Sequence, residues 1–240
     1  MITEKAVIVA AGISSRLYPL TLEKPKGLIE INSMALLRRS ALQLKKNGID
    51  RLAVVVGFHR QKIMDELKDV SGVDFIFNPF YKKTNNLGSL GLARSFVDKN
   101  PFIYLHSDII YEEPILKKCL LSEPNTIVVD EDSVDEEAMK VLYSGGQLTE
   151  SSKSIALDQA GGEWIGMTLF KKNSSIFDTI DCIMEEGKNF QAYDTMAFNK
   201  MVRQGEGFNV LFTEGAMWKE IDTADDLSNA EELFKDVSQP

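Results

Sequence analysis

The chain has 240 residues, 44% hydrophobic and 26% charged, enough to bury a full core and too long for a linker or a peptide hormone. With 36 Asp and Glu against 27 Lys and Arg, the formal net charge is −9, which argues against a nucleic-acid or anionic-membrane surface and towards small partners. Its cysteines, Cys119 and Cys182, lie far apart and form no ligand pair, and the chain passes from Glu4 and Lys5 straight into an apolar run; a cytoplasmic protein without a leader or spanning helix is expected. That run, Ala6 to Ala11, predicts a strand buried on both faces, emptying into Gly12, Ser14, Ser15 and Arg16. Leucines spaced through Ala35 to Asn47 predict a helix stopped by Asn47-Gly48. Leu52 to Val56 reads as a second strand, Ile63 to Leu67 as an amphipathic helix and Val73 to Phe77 as a third strand. Strand and helix alternating in this way predict a doubly wound, mostly parallel α/β sheet, whose ligands sit at the carboxyl ends of the strands. Further on, a helix is expected from Leu90 to Phe96, a central strand over Pro101 to Asp108 and a β-branched strand over Thr126 to Val129. Met139 to Tyr143, a Ser144-Gly145-Gly146 turn and Gln147 onward predict an antiparallel hairpin insert. Glu163 to Met167 reads as an edge strand, Asp194 as the cap of a helix through Met201, Phe208 to Phe212 as a strand and Leu227 to Phe234 as a closing helix.

Chemistry concentrates first after the opening strand. Small residues with free backbone N–H groups can wrap a polyphosphate, and Arg16, Lys24 and Lys26 add positive charge. A Walker loop is ruled out, because no Gly-Lys-Ser/Thr triplet closes the segment, and a dinucleotide fingerprint lacks its spaced glycines. The order A-A-G-x-S-S-R-L followed by K-P-K resembles the signature of the nucleotidyltransferases that make sugar nucleotides and CDP-alcohols, with Ser14 where that family often has a second glycine. The resemblance implies that Ala10, Ala11, Gly12, Ser14, Ser15 and Arg16 hold the triphosphate, and that Lys26 contacts phosphate at the reacting centre.

The segment N-P-x-Y-x-x-x-N-N-x-x-S-L, from Asn78 to Leu90, resembles the CTP-dependent phosphocholine and aminoethylphosphonate cytidylyltransferases. It implies that Asn78, Asn85, Asn86 and Ser89 line the nucleotide pocket, a task that amides suit because they offer both a donor and an acceptor. Asp108 ends its strand where the family binds the magnesium on the triphosphate, and the closing W-K-E-I-D-T segment implies Asp222 as the second ligand. Two carboxylates suit a hard cation, so Mg2+ is the expected cofactor. Asp225 and Asp226 are read as the start of the last helix. His59 and His106 are given no proton to move; His106 is expected only to shape the Ser107-Asp108 loop.

Acceptor recognition is expected between these ends. By resemblance Lys153 meets the acceptor phosphate, while Glu163, Trp164, Tyr193 and Asp194 face the acceptor; Trp164 reads equally as a packed core ring and Asp194 as a cap. The acidic stretch Asp130 to Glu137 is read as a solvated loop or a face for a cationic substrate. Residues 1–240 are therefore expected to form a single nucleotidyltransferase domain of the nucleotide-diphospho-sugar transferase type, a Rossmann-like mixed sheet flanked by helices with a small antiparallel insert. The expected reaction is transfer of CMP from CTP to phosphocholine, phosphoethanolamine or 2-aminoethylphosphonate, releasing pyrophosphate, with assembly into a homo-oligomer left open. A sugar-1-phosphate nucleotidylyltransferase using UTP, dTTP or GTP is the alternative enzyme, and a non-catalytic nucleotide-binding regulatory module the alternative of another class.

Overall fold

In the computed structural model, which describes residues 3–123, 125–132, 134–187 and 190–240, the opening apolar run is strand β1 (Lys5–Ala10). Its alternate side chains feed two cores: Ala6, Ile8 and Ala10 pack into one, Val7 and Val9 into the other. Burial on both faces is why the run does not alternate with polar residues. After the loop that follows β1, strands β2 (Glu30–Ile31) and β3 (Met34–Ala35) form a tight hairpin over Asn32 and Ser33 and lead into α1 (Leu36–Lys46). Then come β4 (Arg51–Val56), α2 (Arg60–Glu66), β5 (Val73–Phe77), α3 (Asn86–Gly91), α4 (Arg94–Val97), β6 (Phe102–His106) and β7 (Ile109–Tyr111). The second half runs α5 (Glu113–Leu121), β8 (Thr126–Asp130), β9 (Lys140–Ser144), β10 (Gln147–Ser152), β11 (Gly162–Phe170), α6 (Ile176–Gly187), α7 (Thr195–Arg203), β12 (Asn209–Phe212), β13 (Trp218–Glu220) and α8 (Ala224–Leu233).

Nine of these strands form one sheet in the order β5-β4-β1-β6-β11-β8-β12-β10-β9. The block β5-β4-β1-β6 is parallel, as the alternating pattern predicts, and the order reverses at β1, so the carboxyl ends of β1 and β6 frame a crevice. The hairpin β9-β10 turns over Gly145 and Gly146, both with positive φ, and joins the far edge of the sheet as the antiparallel insert. Chain reversals at β7 and β13 pair these two short strands outside the main sheet and bring Asp222 back towards Asp108.

Two expectations are corrected. The segment Glu163 to Met167 is not an edge: β11 lies between β6 and β8, antiparallel to both. Its sequence GEWIGMTLF is nearly all apolar because both faces are covered, and a register shift between Trp164 and Thr168 interrupts the ladder at Gly166. The helix expected from Leu90 starts earlier, at Asn86, with the Asn85 side chain accepting from the Asn86 N–H, and it breaks before α4. Gly91 lies against α6, where a Cβ would stand 3.1 Å from Ile180 Cγ2.

Candidate active site

The loop leaving β1 turns through Ser14, whose φ of 58° is left-handed, into a short 3-10 turn over Ser15–Leu17. Thr21 donates its hydroxyl to the Ser14 carbonyl at 2.7 Å, closing the loop on itself. The loop also packs against the end of β4. A Cβ on Gly57 would stand 2.6 Å from the Ala11 carbonyl oxygen, a distance no side chain tolerates.

Beneath the loop lies a cavity of about 150 Å3, bounded by Gly12, Ser14, Lys26, Asn86, His106 and Asp108 among others. Lys26 is the central charge. Its Nζ donates to Asp108 Oδ2 at 2.6 Å and to Asp222 Oδ1, and lies 4.0 Å from Glu220 Oε1. Arg16 pairs with the other oxygen of Asp222 at 2.7 Å. Burial works against the Lys26 ammonium, but the carboxylates of Asp108, Glu220 and Asp222 outweigh it and hold its pKa above the ordinary lysine value. Burial likewise raises Asp108, yet Lys26 and His106 pull it below its usual value.

Two observations mark this cluster as able to hold a cation. Asp108 Oδ1 is buried without a hydrogen-bond partner, and carboxylate oxygens of Asp108 and Glu220 lie within 4.8 Å of each other. The single ammonium of Lys26 reaching both Asp108 and Asp222 shows that these carboxylates flank a space the size of one cation. Oxygen donors of this kind fit a hard divalent ion.

Next to this cluster, and sharing Arg16, Glu220 and Asp222 with it, opens a second cavity of about 410 Å3 that also contains Glu163, Asp135 and Trp218. Crowded acids raise one another here. Burial, then Glu220 and Asp135, lift the Glu163 carboxyl to about 8, and burial, then Asp108, lifts Glu220 to about 7.

The residues singled out in the sequence divide into three groups. Ala10, Ala11, Gly12, Ser14, Lys26, Asn85, Asn86 and Asp108 line the first cavity, and Arg16, Glu163 and Asp222 the second, while Ser15 starts the 3-10 turn beside them. Lys153 and Tyr193 meet each other, the ammonium 5.7 Å from the ring centroid, with Glu137 3.9 Å from the lysine. Four others back the site instead of lining it. Asn78 donates to Thr84 and Ser89 at 3.0 Å each and accepts from the Phe80 N–H, so Asn78 and Ser89 hold the polar loop together from within. Trp164 is 4% exposed, its Nε1 spent on the Met167 carbonyl and the Thr168 hydroxyl, and it offers no face to an acceptor. Asp194 does cap α7, but at 1% exposure its carboxylate is occupied by Tyr104, His106 and the Thr195 N–H. An ammonium head does not reach it directly.

Sequence reasoning missed Glu220 and undervalued His106. Glu220 and Asp222 stand two apart at the end of an extended segment, a period that puts both on one side, and this was the available signal. His59 lies outside the cavities, its Nε2 against the Leu22 carbonyl. Lys140, fully buried, donates to the Glu136 and Lys153 carbonyls and ties the hairpin to the acidic stretch.

Known proteins carry the same arrangement of elements. Residues 5–126 match the family described as nucleotidyl transferase. The CTP:phosphoglutamine cytidylyltransferase of Campylobacter jejuni is 27% identical over 246 aligned positions, covering 92% of this chain and 97% of that protein. The choline-phosphate cytidylyltransferase of Streptococcus pneumoniae is 30% identical over 154 positions, 58% of this chain and 67% of that protein. The solved structure of the CTP:phosphocholine cytidylyltransferase from Streptococcus pneumoniae superposes with a TM-score of 0.81 at 25% identity, covering 97% of this chain and all of that one.

Proposed function

The chain belongs to the nucleotidyl transferase family, and from that premise we propose that it is a cytidylyltransferase that transfers CMP from CTP to a small phosphate or phosphonate acceptor. The observation that carries this reading is Lys26, held between Asp108 and Asp222 beside the glycine loop. An oxygen of the acceptor's phosphate or phosphonate forms a bond to the α-phosphorus of CTP, the bond from that phosphorus to the bridging oxygen of the β-phosphate breaks, and pyrophosphate leaves with the electron pair. No covalent enzyme intermediate is needed. Such transfers are governed by positioning and charge neutralisation. The loop from Ala10 to Ser15 offers backbone N–H groups to the triphosphate, Arg16 its guanidinium to the outer phosphates, and Lys26 its ammonium to the charge developing at the α-phosphorus. Asp108 and Asp222, with Glu220 alongside, would hold Mg2+, which when bound supplies further positive charge to the phosphates.

For the acceptor, the acidic cavity supports a cationic head, as in phosphocholine, phosphoethanolamine or 2-aminoethylphosphonate. Glu163 and Glu220 are crowded enough to retain protons near neutral pH, and an ammonium placed among them relieves that repulsion. Trp218, in the same cavity, offers a ring to such a cation. Pyrophosphate release from CTP, measured with each of these acceptors and with glucose 1-phosphate, with and without Mg2+, tests the reading. Release that depends on Mg2+ and on a cationic acceptor is expected. Faster release from UTP, dTTP or GTP with a sugar phosphate would move the chain to the sugar-nucleotide branch, and no release with any pair would leave only a binding module.

A further inference from the structure

His106 sits in a place built for it. At the end of β6 its imidazole fills the space opened by the interrupted ladder in β11, where Gly166 has a φ of +81° and an added Cβ would stand 3.1 Å from the ring's Cγ and Nδ1. Trp164 meets the ring edge-on with centroids 4.9 Å apart, and Tyr104 does so at 5.7 Å. Nε2 lies 2.7 Å from Asp194 Oδ2. That oxygen also accepts from the Tyr104 hydroxyl at 2.7 Å, while Oδ1 accepts the Thr195 N–H at 3.0 Å, so the carboxylate acts as acceptor throughout. Nε2 must therefore carry the hydrogen.

The same Nε2 lies 3.2 Å from the end of the Asn86 side-chain amide. An NH2 group there would confront an N–H, with no acceptor between them. A half-turn of the amide removes the conflict by presenting Oδ1 to the imidazole as a second acceptor, and it leaves the NH2 on the side away from His106, on a residue that lines the cavity with Gly12 and Lys26.

We propose that His106 is a positioning residue for base selection: held by Asp194, it fixes the Asn86 amide with its donors facing the nucleotide, so that the pocket favours cytosine over uracil. The inference rests on the CTP reading above and deepens it. Cytosine presents N3 and O2, both acceptors, along its pairing edge, whereas uracil carries a hydrogen on N3. A donor fixed opposite N3 pairs with cytosine and opposes uracil, whose N3 carries a hydrogen. An amide free to rotate serves either base and discriminates neither.

Direct titration of CTP and of UTP into the protein with Mg2+ and no acceptor, followed calorimetrically, separates this inference from the reading it rests on. The parent protein is expected to bind CTP about tenfold or more tightly than UTP, the scale of one unmatched hydrogen bond. His106→Phe keeps a ring between Trp164 and Gly166 but removes the N–H, and should bring the ratio close to unity. His106→Gln, whose amide can still donate towards Asp194 and Asn86, should restore part of it. Asn86→Ala, at a half-exposed position, should lose the ratio as well, and it serves should His106→Phe fail to fold. If the ratio stays within about twofold of the parent in Asn86→Ala and in folded His106→Phe, the inference is overturned while the cytidylyltransferase reading stands. A parent protein that shows no preference for CTP overturns both.

Discussion

At Lys26 burial and charge pull in opposite directions, and the ammonium persists only because three carboxylates surround it. Replacing it with Met removes the cation and leaves Asp108, Asp222 and Glu220 to repel one another. Turnover of Lys26→Met should fall by about 10²–10³, the usual cost of one lost electrostatic contact to a transition state. The same variant should melt progressively lower than the parent as pH rises from 4 to 7, and added Mg2+ should raise its melting temperature more than the parent's. Equal Mg2+ shifts in the two proteins would mean that these acids are not where the cation binds. The structure brings Lys26, Asp108 and Asp222 together, as short motifs of fixed residue type and order led one to expect. Asn78, Ser89, Trp164 and Asp194 are only 1–4% exposed, their polar groups taken up by protein partners. Residue type tells that an amide or a carboxylate makes hydrogen bonds, not whether its partner is a ligand or the protein.

Elements decide that question, because they set which way a side chain points. The left-handed Gly166 and the interrupted ladder of β11 make room for His106, and α7 presents Asp194 from the other side as its cap. None of this could be read from Glu163 to Met167 taken alone, since an apolar strand with one Gly and one Trp suits an edge as well as a centre. The pairing that makes it central is with β6 and β8, far away in the chain. The arrangement has a consequence for stability. Burial disfavours the His106 cation, yet the Asp194 carboxylate outweighs it and lifts the imidazole to about 9, against about 6.5 in an unfolded chain. Between these values the folded protein holds a proton that the unfolded chain has released, so stability is full below pH 6.5 and falls as pH rises to 9. Glu163 and Glu220, also raised, add falls of the same sign at lower pH. Denaturant unfolding of the parent and of Asp194→Asn from pH 6 to 9.5 should show the gap between the two curves narrowing from about pH 6.5 to about 9 and constant beyond; parallel curves throughout would show that His106 is not held as a cation by Asp194.

For the molecule as a whole, a net charge of −9 repels a triphosphate; Arg16 and Lys26 bring positive charge to the two cavities, while Lys24 is paired with Glu30 and lines neither of them. The parallel half of the sheet was legible as alternating strands and helices, because β1, β4 and β5 pair in chain order through helical crossovers, while β6 takes its place on the other side of β1. The other half was legible only as a set of strands, since β8, β11 and β12 find their places through pairings across the chain that local patterning does not encode. That half supplies the acidic cavity, and so the acceptor is the part of the function that depends most on the folded structure. Glu163 provides the means to test it. Burial and the neighbouring acids hold its carboxyl at about 8 in the free protein, so near neutral pH it is largely protonated and gives a cationic acceptor little attraction. As pH rises through 8 the carboxylate forms, and kcat/KM for phosphocholine or 2-aminoethylphosphonate, which reports the free enzyme, should rise with it. No such limb near pH 8 is expected with glucose 1-phosphate as acceptor. Glu163→Gln should abolish the limb and, above pH 8 where the parent carboxylate has formed, raise the KM of the cationic acceptor about tenfold, the scale of one lost hydrogen bond to a charged group, with the KM for CTP little changed. A limb that survives in Glu163→Gln, or that appears equally with glucose 1-phosphate, would assign the titration to another group and remove the acidic cavity from acceptor recognition.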